Sequence, residues 1–404
     1  MIKTLKDVEV TGKRVVFRAP FDISPKKVDG KLVPSDDTRI QAVVPTIEYL
    51  LNQGCSIVFL TWVKRPEGKV VEDLRTAPIA KRLGEILGKP VKTVQACIGP
   101  DVDKAKAALK PGDMLMLENV RFYPEEKKDN DDFARELVKD IDVVVYDAFP
   151  QTHRRHSSTT GVVRHGKEVC IGLQLEKEIQ ALSKVTENPT HPFVAVFGGA
   201  KITDKVGVLK NFVSLADSIL IGGALANTFL VAKGMEVGTS LVDVESVNVG
   251  EEEMSSVDVA KELLTHQNIV LPLDLVAGSD PDSAGVVVDL ATGTIPDGHA
   301  YYDIGPKTIE KYTQIIAGAK TIFFNGPMGF FEKPEYAKGT KAVATAIANS
   351  SGVTVLGGGD TASVVEDYKL QGKFDHVSIG GGASLEFVSG EKLPVIEEFE
   401  KRST

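Results

Sequence analysis

Short runs of β-branched and aromatic residues alternate with stretches of helical periodicity almost from end to end of the chain. That alternation is the sequence pattern of parallel strands joined by crossover helices. In the first half it predicts strands at Arg14–Arg18, Ser56–Thr61, Met114–Leu117 and Val143–Tyr146. Helices are expected from Asp37-Thr38 to about Asn52 and from Thr76 through Leu87. The second half repeats the scheme with Phe193–Phe197, Ser218–Ile221, Asn268–Leu271, Thr321–Phe324, Thr354–Leu356 and His376–Ile379 as strands. Its helices include Thr308–Ala317, Thr340–Ala348 and Thr361–Tyr368. At 404 residues the chain exceeds the size at which one core keeps growing, so two domains are expected. The boundary falls at Asn188-Pro189-Thr190-His191-Pro192, where prolines end the amphipathic stretch Leu175–Val185. The expected fold is therefore α/β, with two Rossmann-like doubly wound parallel-sheet domains joined by a hinge, residues 1–187 and 188–392. Leu393–Arg402 reads as a charged helix that would complete the first lobe.

Composition narrows the function. A net charge of -9 argues against a nucleic acid partner, whose phosphates attract a basic surface. A hydrophobic fraction of 42% with 25% charged residues is that of an ordinary globular protein. Cys55, Cys97 and Cys170 are too scattered for a disulfide framework or a zinc site, which fits a reducing compartment. No stretch has the length of a signal peptide core or a membrane span, so a cytoplasmic location is expected. Small molecules are the expected partners, and the chain is expected to be a monomer.

In open parallel sheets ligands bind beyond the carboxyl ends of the strands. In the second half those ends are mostly glycine: Gly198-Gly199, Gly222-Gly223, Gly326, Gly357-Gly358-Gly359 and Gly380-Gly381-Gly382. Glycine lets backbone N–H groups approach an anion, and a helix starting there adds partial positive charge. Any single pair reads as a tight turn; five along one sheet edge read as a phosphate cradle. Lys201 and Lys205, one helical turn apart, would neutralise a polyphosphate there, although an exposed lysine pair is more often a solvated face. Asp360 reads equally as a magnesium ligand or an N-cap. The run Gly357–Ala362 also satisfies a dinucleotide fingerprint, but the next strand ends Ser378-Ile379-Gly380 without the required carboxylate.

The first half places arginines at its strand ends: Arg18, Arg65, Arg121 and Arg154, joined by Arg39 at a helix start. Guanidinium forks bind phosphate and carboxylate bidentately, so several together imply a small dianion, with surface ion pairs as the plainer alternative. His153 and His156 flank Arg154. No Walker A motif is present, since Gly84 to Gly88-Lys89 has the wrong spacing and runs into Pro90.

These residues fall into ordered runs: Asp37-Thr38-Arg39-Ile40, Leu117–Phe122, Asp147-Ala148-Phe149, Gly198–Lys201, Asp303–Thr308, Asn325–Gly329, Gly357–Asp360 and Gly380–Glu386. Together they resemble the phosphoglycerate kinase family along essentially the whole chain. The resemblance implies magnesium-assisted transfer between 1,3-bisphosphoglycerate with ADP and 3-phosphoglycerate with ATP. It assigns Arg39 and Lys201 to the moving phosphoryl group, Lys205 to nucleotide phosphate, Asp360 to the metal and Glu332 to the ribose. Backbone amides at Gly380, Gly381 and Gly382 would donate to the transferring group. Gly198, Gly222, Gly223, Asn325, Gly357, Gly358, Gly359 and Thr361 complete the implied nucleotide site. Arg65, Arg121 and Arg154 match acceptor positions, and the strand-end Arg18 joins them, with Arg39, as an expected acceptor contact. Such chemistry is mainly positioning and charge stabilisation.

Departures concentrate in the acceptor half. Arg18-Ala19-Pro20-Phe21-Asp22 stands where the family has Arg-Val-Asp-Phe-Asn, and Thr61-Trp62-Val63-Lys64-Arg65 where it has Ser-His-Leu-Gly-Arg. Pro20 thus replaces an aspartate and Trp62 a histidine, leaving Asp22 and Trp62 as the expected contacts to the acceptor. Because strand side chains alternate, Asp22 shares a face with Pro20 and a slip would return a carboxylate to the hydroxyl. Alternatives are a paralogous kinase for another small phosphorylated acid, and a noncatalytic nucleotide-binding protein.

Overall fold

The computed structural model describes residues 2–249 and 252–402. The chain forms two compact units, Met1–Ile179 with Lys392–Thr404 and Gln180–Glu391. The division lies inside the helix Leu173–Thr186, a little before the expected boundary, so the segment Pro189–Pro192 falls within the second unit.

The first unit is built on six parallel strands: β1 Arg14–Arg18, β2 Ser56–Leu60, β3 Val91–Thr93, β4 Met114–Met116, β5 Val143–Tyr146 and β6 Glu168–Ile171, in spatial order β3-β4-β2-β1-β5-β6. β2 and β5 are buried along their whole length, as their unbroken apolar sequences Ser56–Leu60 and Val143–Tyr146 require of strands covered on both faces. The helix Thr38–Asn52 lays Ile40, Val43, Ile47 and Leu50 on one face of this sheet, spaced by three and four residues. The short edge strand β3 and the strand β6 were not expected.

The second unit has its own sheet of β7 Phe193–Phe197, β8 Ser218–Ile221, β9 Ile269–Val270, β10 Thr321–Asn325, β11 Val353–Leu356 and β12 His376–Val377. All are parallel, in order β9-β8-β7-β10-β11-β12, the doubly wound arrangement. Its strand order reverses between β7 and β10, and a ligand crevice is expected where their carboxyl ends diverge. β9 and β12 are each two residues long, shorter than expected, and just before β9 the Asn268 side chain donates to Val213 O and Ala216 O. A three-stranded antiparallel sheet, Asp274–Gly278, Val286–Asp289 and Ala300–Ile304, packs its Leu275, Val288 and Ile304 into the same core. The helix Pro394–Arg402 belongs to the first unit, where the Val395 amide donates to Thr152 O at 3.1 Å.

Candidate functional site

At the carboxyl end of the first unit's sheet, guanidinium groups gather around one indole. Arg18 ends β1, between Leu60 of β2 and Tyr146 of β5, and is wholly buried. Its Nε donates to Ser158 O at 3.0 Å and its Nη1 to Ala19 O. Trp62 follows β2 and is 2% exposed. The Arg18 Cζ lies 4.4 Å, and the Arg121 Cζ 3.8 Å, from its ring centroid. A ring face attracts cations, so one indole holds two groups that otherwise repel. The Trp62 Nε1 donates to Asp22 Oδ2 at 3.0 Å, while Asp22 Oδ1 accepts from the Lys64 amide at 2.8 Å. Arg39 Nη1 donates to the Asp22 carbonyl at 2.7 Å, and Arg121 Nη1 to Lys64 O at 2.7 Å. Arg39, Asp22, Trp62, Arg18 and Arg121 thus form one connected cluster. Asn119 holds the loop after β2 by accepting from the Val63 amide and donating to Val63 O and Leu74 O.

Beneath this cluster lies Glu126, a buried carboxylate that the charged run Glu125–Lys128 disguises as surface. It accepts from the Ser158 amide at 2.9 Å and Ser158 Oγ at 2.5 Å. Burial pushes its pKa up, against the pull of Arg18 and Arg121. Burial also brings the Arg121 guanidinium down to about 10 and His156 down to about 4, the arginine charges adding to the latter. His156 is therefore neutral at pH 7, its ring 5.2 Å from Trp62. Arg18 Nη2, Arg121 Nε and His156 Nδ1 are buried and have no hydrogen-bond partner among the described residues. Arg65 and Arg154 are exposed; the charge of the first reaches Arg121 and that of the second His156.

In the second unit the five glycine turns separate into two kinds. Gly198-Gly199 and Gly222-Gly223 are spent on packing. Their amides donate to Asn325 O, Pro327 O, Phe197 O and Met328 O, at 2.8 to 2.9 Å. A Cβ at Gly198 would stand 1.9 Å from Pro327 O, so glycine is needed because another backbone already occupies the space. These four residues therefore support the cradle rather than line it. Gly326 donates to Thr361 Oγ1 at 2.8 Å, and Asn325 Nδ2 to Gly357 O at 2.8 Å, which ties the ends of β10 and β11 together. Gly357 packs on Phe323, and the Gly380 amide donates to Ser378 Oγ.

The second kind opens on a cleft of about 670 Å³ lined by Lys205, Asn325, Gly326, Gly358, Gly359, Asp360, Thr361, Gly381 and Gly382. A Cβ at Gly359, Gly381 or Gly382 would meet nothing within 4 Å. The helices Val206–Phe212, Gly359–Asp367 and Gly382–Val388 all begin at this cleft, so their unpaired N-terminal amides favour an anion there. Lys205 is 8% exposed, and burial lowers its pKa against the charges of Asp204 and Asp360. The cleft is also lined by Asp204, and by Leu385 and Glu386 at the end of the run Gly380–Glu386, none of which carried an expected role. Lys201 lies on the surface, paired with Glu245, whose carboxylate raises its pKa. Glu332 is exposed and outside the residues that line the cleft. Asp360 is exposed in the first turn of its helix. Among the described residues no three acidic, histidine or cysteine side chains converge as a metal cage. One exposed carboxylate beside a phosphate-sized cleft still suits magnesium, which keeps waters and takes substrate phosphates as its other ligands.

A guanidinium cluster at one set of strand ends and a glycine-lined, lysine-bearing cleft at the other define a two-unit α/β protein of the phosphate-handling class. The chain belongs to the phosphoglycerate kinase family, whose profile matches residues 5–391. It is 44% identical over 393 residues to a phosphoglycerate kinase of Moorella thermoacetica, covering 97% of each chain. A phosphoglycerate kinase of Anaeromyxobacter dehalogenans is 42% identical over 402 residues, 99% of this chain and all of the relative. Among solved structures, the phosphoglycerate kinase of Coxiella burnetii superposes with a TM-score of 0.87 at 32% identity over the full length of both chains. That of Pyrococcus horikoshii gives 0.83 at 34% identity, covering 99% of this chain and 98% of the other.

Proposed function

We propose that this chain is a phosphoglycerate kinase that moves a phosphoryl group between 1,3-bisphosphoglycerate and ADP, reversibly. In the forward direction the bond from phosphorus to the acyl oxygen breaks as one forms to a terminal oxygen of ADP, giving 3-phosphoglycerate and ATP. The observation that carries this reading is the family match across residues 5–391, which takes in both the guanidinium cluster and the glycine cleft.

The cleft receives the nucleotide phosphates on the amides around Gly358–Gly359 and Gly381–Gly382, with Lys205 supplying a cation already stripped of water. Oriented amides and a desolvated ammonium stabilise charge without reorganising, and that is the catalysis phosphoryl transfer needs. Asp360 would hold a magnesium ion, which neutralises phosphate charge. Lys201 is held by an exposed ion pair to Glu245, which solvent and salt weaken, so a phosphate oxygen can displace it. Arg39, Arg65, Arg121 and Arg154 hold the acceptor's anionic groups. A cytoplasmic monomer fits three buried free thiols, and among the described residues no helix is long and apolar enough to cross a membrane.

A second reading, a paralogous kinase for a different small phosphorylated acid, is favoured by one feature, the Asp22–Trp62 contact in the acceptor cluster. A coupled assay with magnesium, ATP and 3-phosphoglycerate decides between the readings. Turnover is expected, and Lys205→Met should lower kcat by about 10²–10³. Its melting temperature should hold, because the substitution removes a buried charge. Turnover of other phosphorylated acids alone would give the paralogue reading, and of none a noncatalytic nucleotide-binding protein.

A further inference from the structure

Each oxygen of the two carboxylates beside the guanidinium cluster, Asp22 and Glu126, already accepts a hydrogen bond from the protein. Asp22 gives one oxygen to the Trp62 indole at 3.0 Å and the other to the Lys64 amide at 2.8 Å. Glu126 is wholly buried and gives its oxygens to Ser158. The groups around it that remain are mainly donors: Arg18 Nη2 and Arg121 Nε, buried and without a partner among the described residues, and the exposed Arg65 and Arg154. His156 Nδ1 faces Glu126 Oε1 at 3.7 Å, and the Tyr146 hydroxyl is enclosed on a ring that packs edge-on against Phe399.

We infer that Trp62 and Asp22 are specificity-determining residues that make the acceptor site read the charges of its ligand and ignore its hydroxyl. The indole positions the Arg18 and Arg121 forks and takes up the Asp22 carboxylate that would otherwise bind an alcohol. The substrate class becomes short phosphorylated carboxylic acids with or without a hydroxyl beside the carboxylate. This rests on the acceptor reading proposed above and deepens it.

The physical basis is an asymmetry in recognition. A site that dedicates a buried polar group to a substrate hydroxyl rejects the analogue lacking it by about 10⁴–10⁵, because the group is left unpaired. A site whose acceptors are already paired leaves nothing exposed when the hydroxyl is missing.

The test compares kcat/KM of the full chain for 3-phosphoglycerate and for 3-phosphonooxypropanoate, the same skeleton without the hydroxyl. A ratio below about a hundredfold is expected, and a larger one overturns the inference. If 3-phosphoglycerate itself is not turned over, the activity reading fails instead. Trp62→Phe keeps the ring and removes the N–H, which frees Asp22 Oδ2. In that variant, checked by its melting curve for folding, the ratio should rise at least about tenfold, through the KM for the analogue. An unchanged ratio in folded Trp62→Phe would also overturn the assignment.

Discussion

Lys106 is 1% exposed, yet among the described residues no carboxylate bonds to it. Its ammonium donates to the carbonyls of Leu137 at 3.1 Å, Lys139 at 3.4 Å and Glu136 at 3.5 Å, closing the end of the helix Asp131–Leu137. The Leu137 carbonyl is one that a helix leaves unpaired, and a cation suits that end of its dipole. Burial nevertheless brings its pKa from 10.5 down to about 8. The unfolded chain therefore holds this proton up to higher pH than the folded one. The contribution to stability is full above 10.5 and is lost as pH falls to about 8. Between those values the wild type should gain up to about 3 kcal/mol relative to Lys106→Met. Urea unfolding of both proteins at either end of the window reads this difference; parallel curves would show that Lys106 does not titrate there.

Both units use the same device to join a strand to a helix. In the first, Asp147 follows β5 and accepts from the Leu175 amide at 2.7 Å and Thr46 Oγ1 at 2.6 Å, while a Cβ on Gly172 would fall 2.3 Å from its Cγ. In the second, Asp274 accepts from the amides of Lys307 at 3.0 Å and Thr308 at 2.8 Å, with Gly305 equally close. Asp274→Ala should cost roughly 2–4 kcal/mol in urea unfolding, since buried donors at the start of the helix Pro306–Ala317 lose their acceptor. Asp274→Asn, which keeps one oxygen, should restore part of it; equal losses in both would point to packing instead. Elements of this kind were legible in proportion to how local their cause is. β1, β5, β7 and β8 follow directly from β-branched runs, and the two helices of the first half from apolar spacing. β3, with Lys92 at its centre on a sheet edge, carries no such signal. The glycine turns mark the limit more sharply. Gly198 is glycine because Pro327 is already there and Gly359 because the space is open, and neighbouring residues cannot distinguish the two. Lys201 met Glu245, and Trp62 met Arg18 and Arg121, only through tertiary packing.

At the scale of the whole molecule the first unit is discontinuous in sequence, because its last helix follows all of the second unit. The helix Pro394–Arg402 is tied down by several independent contacts. Glu397 pairs with Arg155 at 2.6 Å, Arg402 donates to Val163 O and Arg164 O, and Phe399 meets Tyr146 edge-on at 6.3 Å. Leu393, Val395 and Phe399 are each no more than 2% exposed. At about 1.5–3 kcal/mol for each buried apolar side chain, the segment contributes roughly 5–9 kcal/mol, comparable to the whole stability of many domains. Tyr146 is also the register partner of Arg18, so loosening the helix loosens the strand end that carries the guanidinium cluster. Removal of residues 393–404 should therefore lower the unfolding midpoint of the first unit and weaken acceptor binding together. Trp62 is the single tryptophan of the chain and sits inside that cluster, which makes its fluorescence a direct reading of this unit. A truncated chain whose Trp62 transition and KM for 3-phosphoglycerate both match the full-length protein would show that the helix is ornamental. A fall in both, with Phe399→Ala intermediate at about 3 kcal/mol, is the outcome that the buried side chains require.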